Sequence, residues 1–125
     1  MATEGPFLAD GAQTTAAADL SSNQFYAVKL TGARQVNLAS AGGEDIYGVL
    51  QNKPTSGQVA DVALYGICKA VAGAAFSAGA QLMTDTSGRL IAATSTNHRV
   101  ASALEAATQA GQIVTVFLRP IGTVT

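Results

Sequence analysis

The sequence predicts an all-β fold: a small barrel- or tulip-like domain of short antiparallel strands over residues 23–125, carrying an extended N-terminal arm over residues 1–22. Three observations carry that prediction. Short apolar segments recur along the chain and are punctuated by turn residues, the spacing of a barrel or sandwich. One stretch repeats: Gly57-Gln58-Val59-Ala60-Asp61-Val62-Ala63-Leu64 matches Gly111-Gln112-Ile113-Val114-Thr115-Val116-Phe117-Leu118, and the same offset lays Ile46 and Leu50 on Val100 and Leu104. Finally, 48% of the 125 residues are hydrophobic but only 6% are aromatic and 12% charged, which describes one compact domain with a core of small side chains.

The elements follow in order. From Met1 to Ser22 the chain is Ala, Thr, Ser, Gly and Asp with Phe7 and Leu8 as its first large apolar residues, and neither a period of 2 nor one of 3.6 is sustained. This is the arm, with Phe7 and Leu8 as its candidate anchor. Strands are then expected at Gln24 to Leu30, Gln35 to Leu38, Ile46 to Leu50, Gln58 to Tyr65, Ile67 to Val71, Gln81 to Met83, Leu90 to Ala93 and Gln112 to Leu118. In the first of them, Tyr26, Val28 and Leu30 share one face and Lys29 takes the other, as in a half-buried strand.

Asp85-Thr86-Ser87-Gly88 is the clearest turn, because Gly88 tolerates a positive φ and Asp85 can accept hydrogen bonds from nearby amides. Lys53-Pro54-Thr55-Ser56-Gly57 is the second. Val100, Ala103, Leu104 and Ala107 fit a helical period, but the repeat assigns Val100 to about Glu105 to a strand.

Charge and composition exclude several function classes. Seven Lys and Arg against eight Asp and Glu leave a formal net charge of -1, which offers no footprint for a phosphate backbone. The opening Met1-Ala2-Thr3-Glu4-Gly5 lacks a basic n-region, and the Ala70 to Ala80 run is too short and too rich in Ala and Gly to span a bilayer. A soluble chain without a cleaved export signal, nucleic acid or membrane partner is expected. The single Cys68 forbids an internal disulfide framework and reads as a buried thiol.

No constellation of reactive residues emerges. Asp85-Thr86-Ser87-Gly88 resembles the Asp-Thr/Ser-Gly motif of aspartic proteases but carries an extra residue, and paired carboxylates depend on tight spacing. The glycine stretches at Ala41-Gly42-Gly43-Glu44 and from Ala72 to Gly79 lack the Lys-Ser/Thr of a phosphate loop. His98, in the turn Thr96-Asn97-His98-Arg99, has no second ligand nearby, and Glu44-Asp45 is an isolated acidic pair. Lys53 lies near a turn, but Asn52-Lys53-Pro54 is unlike the Asp-Lys setting of a lipoyl arm.

Several blocks, in order, resemble the decoration or cement proteins of tailed bacteriophage heads. These are Tyr47-Gly48-Val49, Gly57 to Gly66, Ala78-Gly79-Ala80-Gln81-Leu82, Asp85-Thr86-Ser87-Gly88-Arg89-Leu90, Ala103-Leu104-Glu105-Ala106-Ala107, and Gly111 to Leu118. The resemblance spans Ile46 to Leu118. It implies a compact β-barrel-like homotrimer on the outer surface of the virion's capsid, bound to the major capsid protein and clamping neighbouring subunits. It brings no enzyme activity, cofactor or metal. The all-β pattern alone also fits a small binding module of a phage tail or adhesion apparatus recognising carbohydrate or protein, although the absence of Trp counts against stacking on sugars.

Overall fold

The computed structural model describes residues 2–94 and 97–123, with the side chains of 120–123 left aside. Met1, Ser95, Thr96, Val124 and Thr125, at the edges of the expected arm, turn and domain, lie outside the described residues. Eleven strands follow in chain order: β1 (Phe7–Ala9), β2 (Thr14–Ala16), β3 (Ala27–Gly32), β4 (Gln35–Leu38), β5 (Gly48–Leu50), β6 (Val59–Ala60), β7 (Val62–Val71), β8 (Gln81–Thr84), β9 (Leu90–Ala92), β10 (His98–Ala103) and β11 (Ile113–Thr123). They form one sheet in the order β6-β2-β4-β3-β5-β7-β11-β10-β8-β9, with β1 paired to β7 off this path.

The all-β expectation holds, and the ambiguous segment from Val100 is the strand β10. Two details differ. The sheet is not closed into a barrel, since its terminal strands β6 and β9 do not pair with each other. Its strands are not all antiparallel either, because β2 runs parallel to β4. The run from Val59 to Val71 places β6 at one end of the sheet and β7 in its middle, so the two ends of one run serve separate parts of the sheet. The first-half strands curl around their own core, and those of the second half extend the sheet around another.

The repeat seen in the sequence is a duplication of the whole architecture. Under the offset that lays Gly57 on Gly111, β3, β4, β5 and the β6–β7 run fall on β8, β9, β10 and β11. The sheet reads β4-β3-β5-β7 from one side and β9-β8-β10-β11 from the other, meeting at the antiparallel β7·β11 pair. The parallel contact of Ala16 with Val36 recurs as a parallel bridge between Ala72 and Leu90. The two cores repeat as well: Ala16, Val28, Val36, Ala60 and Val62 fill one, and Ala72, Leu82, Leu90, Val114 and Val116 fill the other.

The local device behind the repeat is a glycine bulge, in which two residues face one. The Gly57 amide donates to the Ala16 carbonyl at 2.8 Å, while the Gln58 carbonyl accepts from the Ala16 amide at 2.9 Å. Gly111, Gln112 and Ala72 repeat those bonds at 2.7 and 2.8 Å. Both glycines have positive φ, 83° and 88°. Each glutamine then closes the loop before it: the Gln58 side-chain oxygen accepts from the Thr55 amide at 2.9 Å, and that of Gln112 from the Thr108 amide at 2.8 Å.

Strands between the cores are buried on both faces. Ala27, Val49 and Ala63 face the second-half core, and their neighbours Val28, Leu50 and Val62 face the first. The one-sided burial expected around Tyr26, Val28 and Leu30 therefore does not form: β3 is buried on both faces at Ala27 and Val28, and Leu30 is exposed.

Candidate functional site

The residues expected to anchor the arm form β1, which lies on β7 with Phe7 opposite Gly66 and Leu8 opposite Tyr65. The pairing continues upstream, where the Ile67 amide donates to the Pro6 carbonyl at 2.9 Å and the Gly5 amide to the Ile67 carbonyl at 3.1 Å. Gly66 permits this approach. Its φ is +118°, and a Cβ there would lie 2.6 Å from both the Phe7 Cα and the Pro6 carbonyl oxygen.

β1 divides its side chains between core and surface. Phe7 is partly buried against the second-half core, whereas Leu8 is 64% exposed beside Tyr65, itself 52% exposed. Tyr65 meets Phe117 of β11 edge to face, with ring centres 5.5 Å apart, and the Arg119 guanidinium lies over the Phe117 ring at 5.3 Å. Pro6, Phe7, Leu8, Tyr65, Ile67 and Phe117 line a shallow apolar groove. Contiguous exposed apolar surface of this kind is characteristic of protein contact sites.

The polar candidates are engaged in holding the fold. One oxygen of Asp85 accepts from the Ser87 and Arg89 amides at 2.8 and 2.9 Å, and the other faces the Arg89 guanidinium at 3.5 Å. That carboxylate shapes the expected hairpin, in which Gly88 has φ +83°. Burial pushes the Cys68 thiol up to about 12, with the Glu4 carboxylate adding to the shift, so it stays protonated and poorly nucleophilic. The His98 amide donates to the Gly43 carbonyl at 2.9 Å, tying the Gly42-Gly43 loop to β10. Burial pushes Glu44 upward, but bonds from Ala41, Lys29 and Ser40 outweigh it and hold the carboxyl below its usual range. Lys53 is exposed in the loop between β5 and β6. Among the described residues, no three His, Cys, Asp or Glu side chains gather as metal donors.

Sequence reasoning missed one polar group that positions the groove. Asp10 is buried, accepts from the Thr14 hydroxyl at 2.8 Å and the Tyr47 hydroxyl at 3.4 Å, and its amide donates to the Val62 carbonyl at 2.9 Å. Burial, then the nearby carboxylate, pushes the Tyr47 hydroxyl above its ordinary value. Asp10-Gly11, a turn dipeptide, was its only trace in the sequence. The groove's aromatic pair was equally hidden, since Tyr65 and Phe117 meet only through the β7·β11 register.

Comparison with known proteins finds a family and a similar fold. A family model described as phage cement protein matches residues 9–119. The solved structure of the head fiber gp8.5 N base of bacteriophage phi29 is similar, with a TM-score of 0.67 and 18% identity over 96% of this chain and 98% of that one. At that identity the likeness speaks for the fold. No curated protein matches significantly.

Proposed function

The chain belongs to the phage cement protein family, which makes it a structural virion protein of the outer capsid surface, and on that premise we propose that it ties neighbouring major capsid protein subunits together as a homotrimer. The match over residues 9–119 is the observation that carries this reading. Bound to adjacent subunits, the protein stabilises the assembled shell by mass action, since it has affinity for the lattice and none for dispersed subunits. No catalytic step is assigned, because the candidate carboxylate and thiol are taken up by the turn at Asp85 and the core at Cys68.

The arm contributes through β1. Phe7 seats it on the body, and Leu8, with Tyr65, supplies apolar surface to the shell. Cosedimentation of the purified chain with expanded capsids tests the reading, and absence of binding at every salt concentration overturns it. Leu8→Asp keeps the β1 backbone pairing and is expected to weaken shell binding; unchanged affinity removes Leu8 from the contact. Light scattering of the free protein tests the trimer, with a monomeric mass both alone and on released complexes as the contrary result.

A further inference from the structure

The turn at Asp85-Thr86-Ser87-Gly88, which the cement reading leaves unused, borders a polar cleft between the two halves of the molecule. The β3–β4 hairpin supplies the rest of the lining, and the cleft has a volume of about 570 Å³, within the range of small-molecule sites. Its shape is fixed by short contacts. The Ala27 amide donates to the Gly88 carbonyl at 2.6 Å, and a Cβ at Gly88 would stand 3.5 Å from both the Tyr26 ring and the Leu38 side chain. The Asp85 carboxylate is taken up by the Ser87 and Arg89 amides, which leaves the hydroxyls of Thr86 and Ser87 for the cleft. Among the described residues, the side chains of Asn23, Tyr26, Thr31, Thr86 and Ser87 find no hydrogen-bond partner, although all five line the cleft. Asn37 uses only its carbonyl oxygen, which accepts from the Leu38 amide at 2.8 Å, so its NH2 remains to donate. Lys29 is the one ionised group in the lining, and its charge is compensated: Nζ lies 3.2 Å from a Glu44 oxygen and donates to the Ser40 hydroxyl at 2.7 Å.

We propose that this cleft binds a neutral saccharide, with Tyr26 as the stacking platform and the hydroxyl and amide side chains as partners of the sugar's hydroxyl groups. Each feature of the cleft answers a feature of that ligand. A pyranose presents an apolar face of C–H bonds, which seats on an aromatic ring, and an edge of hydroxyls that both donate and accept. With no Trp in the chain, Tyr26 supplies the ring in this lining. Ser and Thr hydroxyls likewise donate and accept, and Asn does both in fixed directions. An anionic ligand is disfavoured because the cation of the lining is already paired, and an apolar one because it would cover amides and hydroxyls without satisfying them. The cleft shares no lining residue with the groove at Tyr65, so this binding is separate from the shell contact. One open cleft binds a sugar weakly, but many copies arrayed on a head give it an avid hold on a saccharide-bearing surface.

The test applies the full chain to an array of neutral, sialylated and sulfated oligosaccharides and titrates the strongest neutral binder by calorimetry, with circular dichroism confirming the fold of each variant. Tyr26→Ala is expected to weaken binding about 10-fold, whereas Tyr26→Phe, which keeps the ring, stays within about 3-fold of wild type. Thr86→Ala combined with Ser87→Ala is expected to lose about 10-fold. No binding to any neutral member at millimolar concentration overturns the proposal, as does binding confined to the charged members or equal affinity for wild type and Tyr26→Ala. If Tyr26→Ala fails to fold, the double variant at Thr86 and Ser87, both exposed, carries the same comparison. Cosedimentation with expanded capsids separates this site from the cement reading: Tyr26→Ala is expected to bind shells as wild type does, and Leu8→Asp to bind the saccharide as wild type does. A chain that binds the saccharide but no shell overturns the cement reading alone, whereas one that binds shells but no saccharide overturns this inference alone.

Discussion

At the scale of single residues, glycines with the same backbone sign do different work. Gly57 and Gly111 have positive φ but open space where a side chain would stand, whereas at Gly66 that space is filled by β1. Gly57→Ala and Gly111→Ala are therefore expected to cost only the left-handed penalty, about 1–2 kcal/mol each. Gly66→Ala adds the displacement of β1 and is expected to cost about 3 kcal/mol or more; equal denaturation midpoints for all three variants contradict this. Cys68 makes a second residue-scale prediction. Its folded-state value is raised, so the stability it contributes is complete below its ordinary 9.0 and lost as pH rises toward about 12. Wild type is expected to lose stability relative to Cys68→Ala at up to about 1.4 kcal/mol per pH unit above pH ~9, and parallel pH profiles for the two proteins contradict it.

At the scale of elements, the two Gly-Gln loops are the same device used twice. Gln58→Ala and Gln112→Ala each remove an acceptor for a threonine amide, and each is expected to cost about 1 kcal/mol in urea denaturation. A large cost in one half only shows that the loops are not equivalent. Much of this level was legible in the sequence. The turn at Asp85, the strand at Val100 and the Gly-Gln repeat follow from local turn chemistry and periodicity, and the structure has all three. Other features depend on partners distant in the chain. Phe25 holds φ +71° because its amide and carbonyl are bonded to Leu50 and Val71, and nothing in Gln24-Phe25-Tyr26 announces it. The alternation in β3 was misread because a strand between two cores has no solvent face at Ala27 and Val28 to define its period. Of the candidate site, Phe7 and Leu8 were visible as the arm's first large apolar residues, but Tyr65 and Phe117 come together only through the sheet register.

At the scale of the whole molecule, the opening composition acquires a physical sense. Under the proposed reading, a net charge of -1 and the apolar lining of the groove at Tyr65 favour contact through apolar surface. Shell binding is accordingly expected to change less than ~3-fold between 50 and 500 mM salt, since screening acts on charged pairs; a steep decline in a binding titration identifies a charged interface instead. The β6–β7 run also has a mechanical side. A pull on the Val59 end of the β6–β7 run against the Ile113 end of β11 is directed along both strands in opposite senses. The register from Val71 opposite Ile113 to Gly66 opposite Leu118 then bears that load in parallel, and its hydrogen bonds must rupture together instead of peeling singly. Under such tension a strand pair of this build keeps its length until it breaks, with a lifetime set by its unfolding rate.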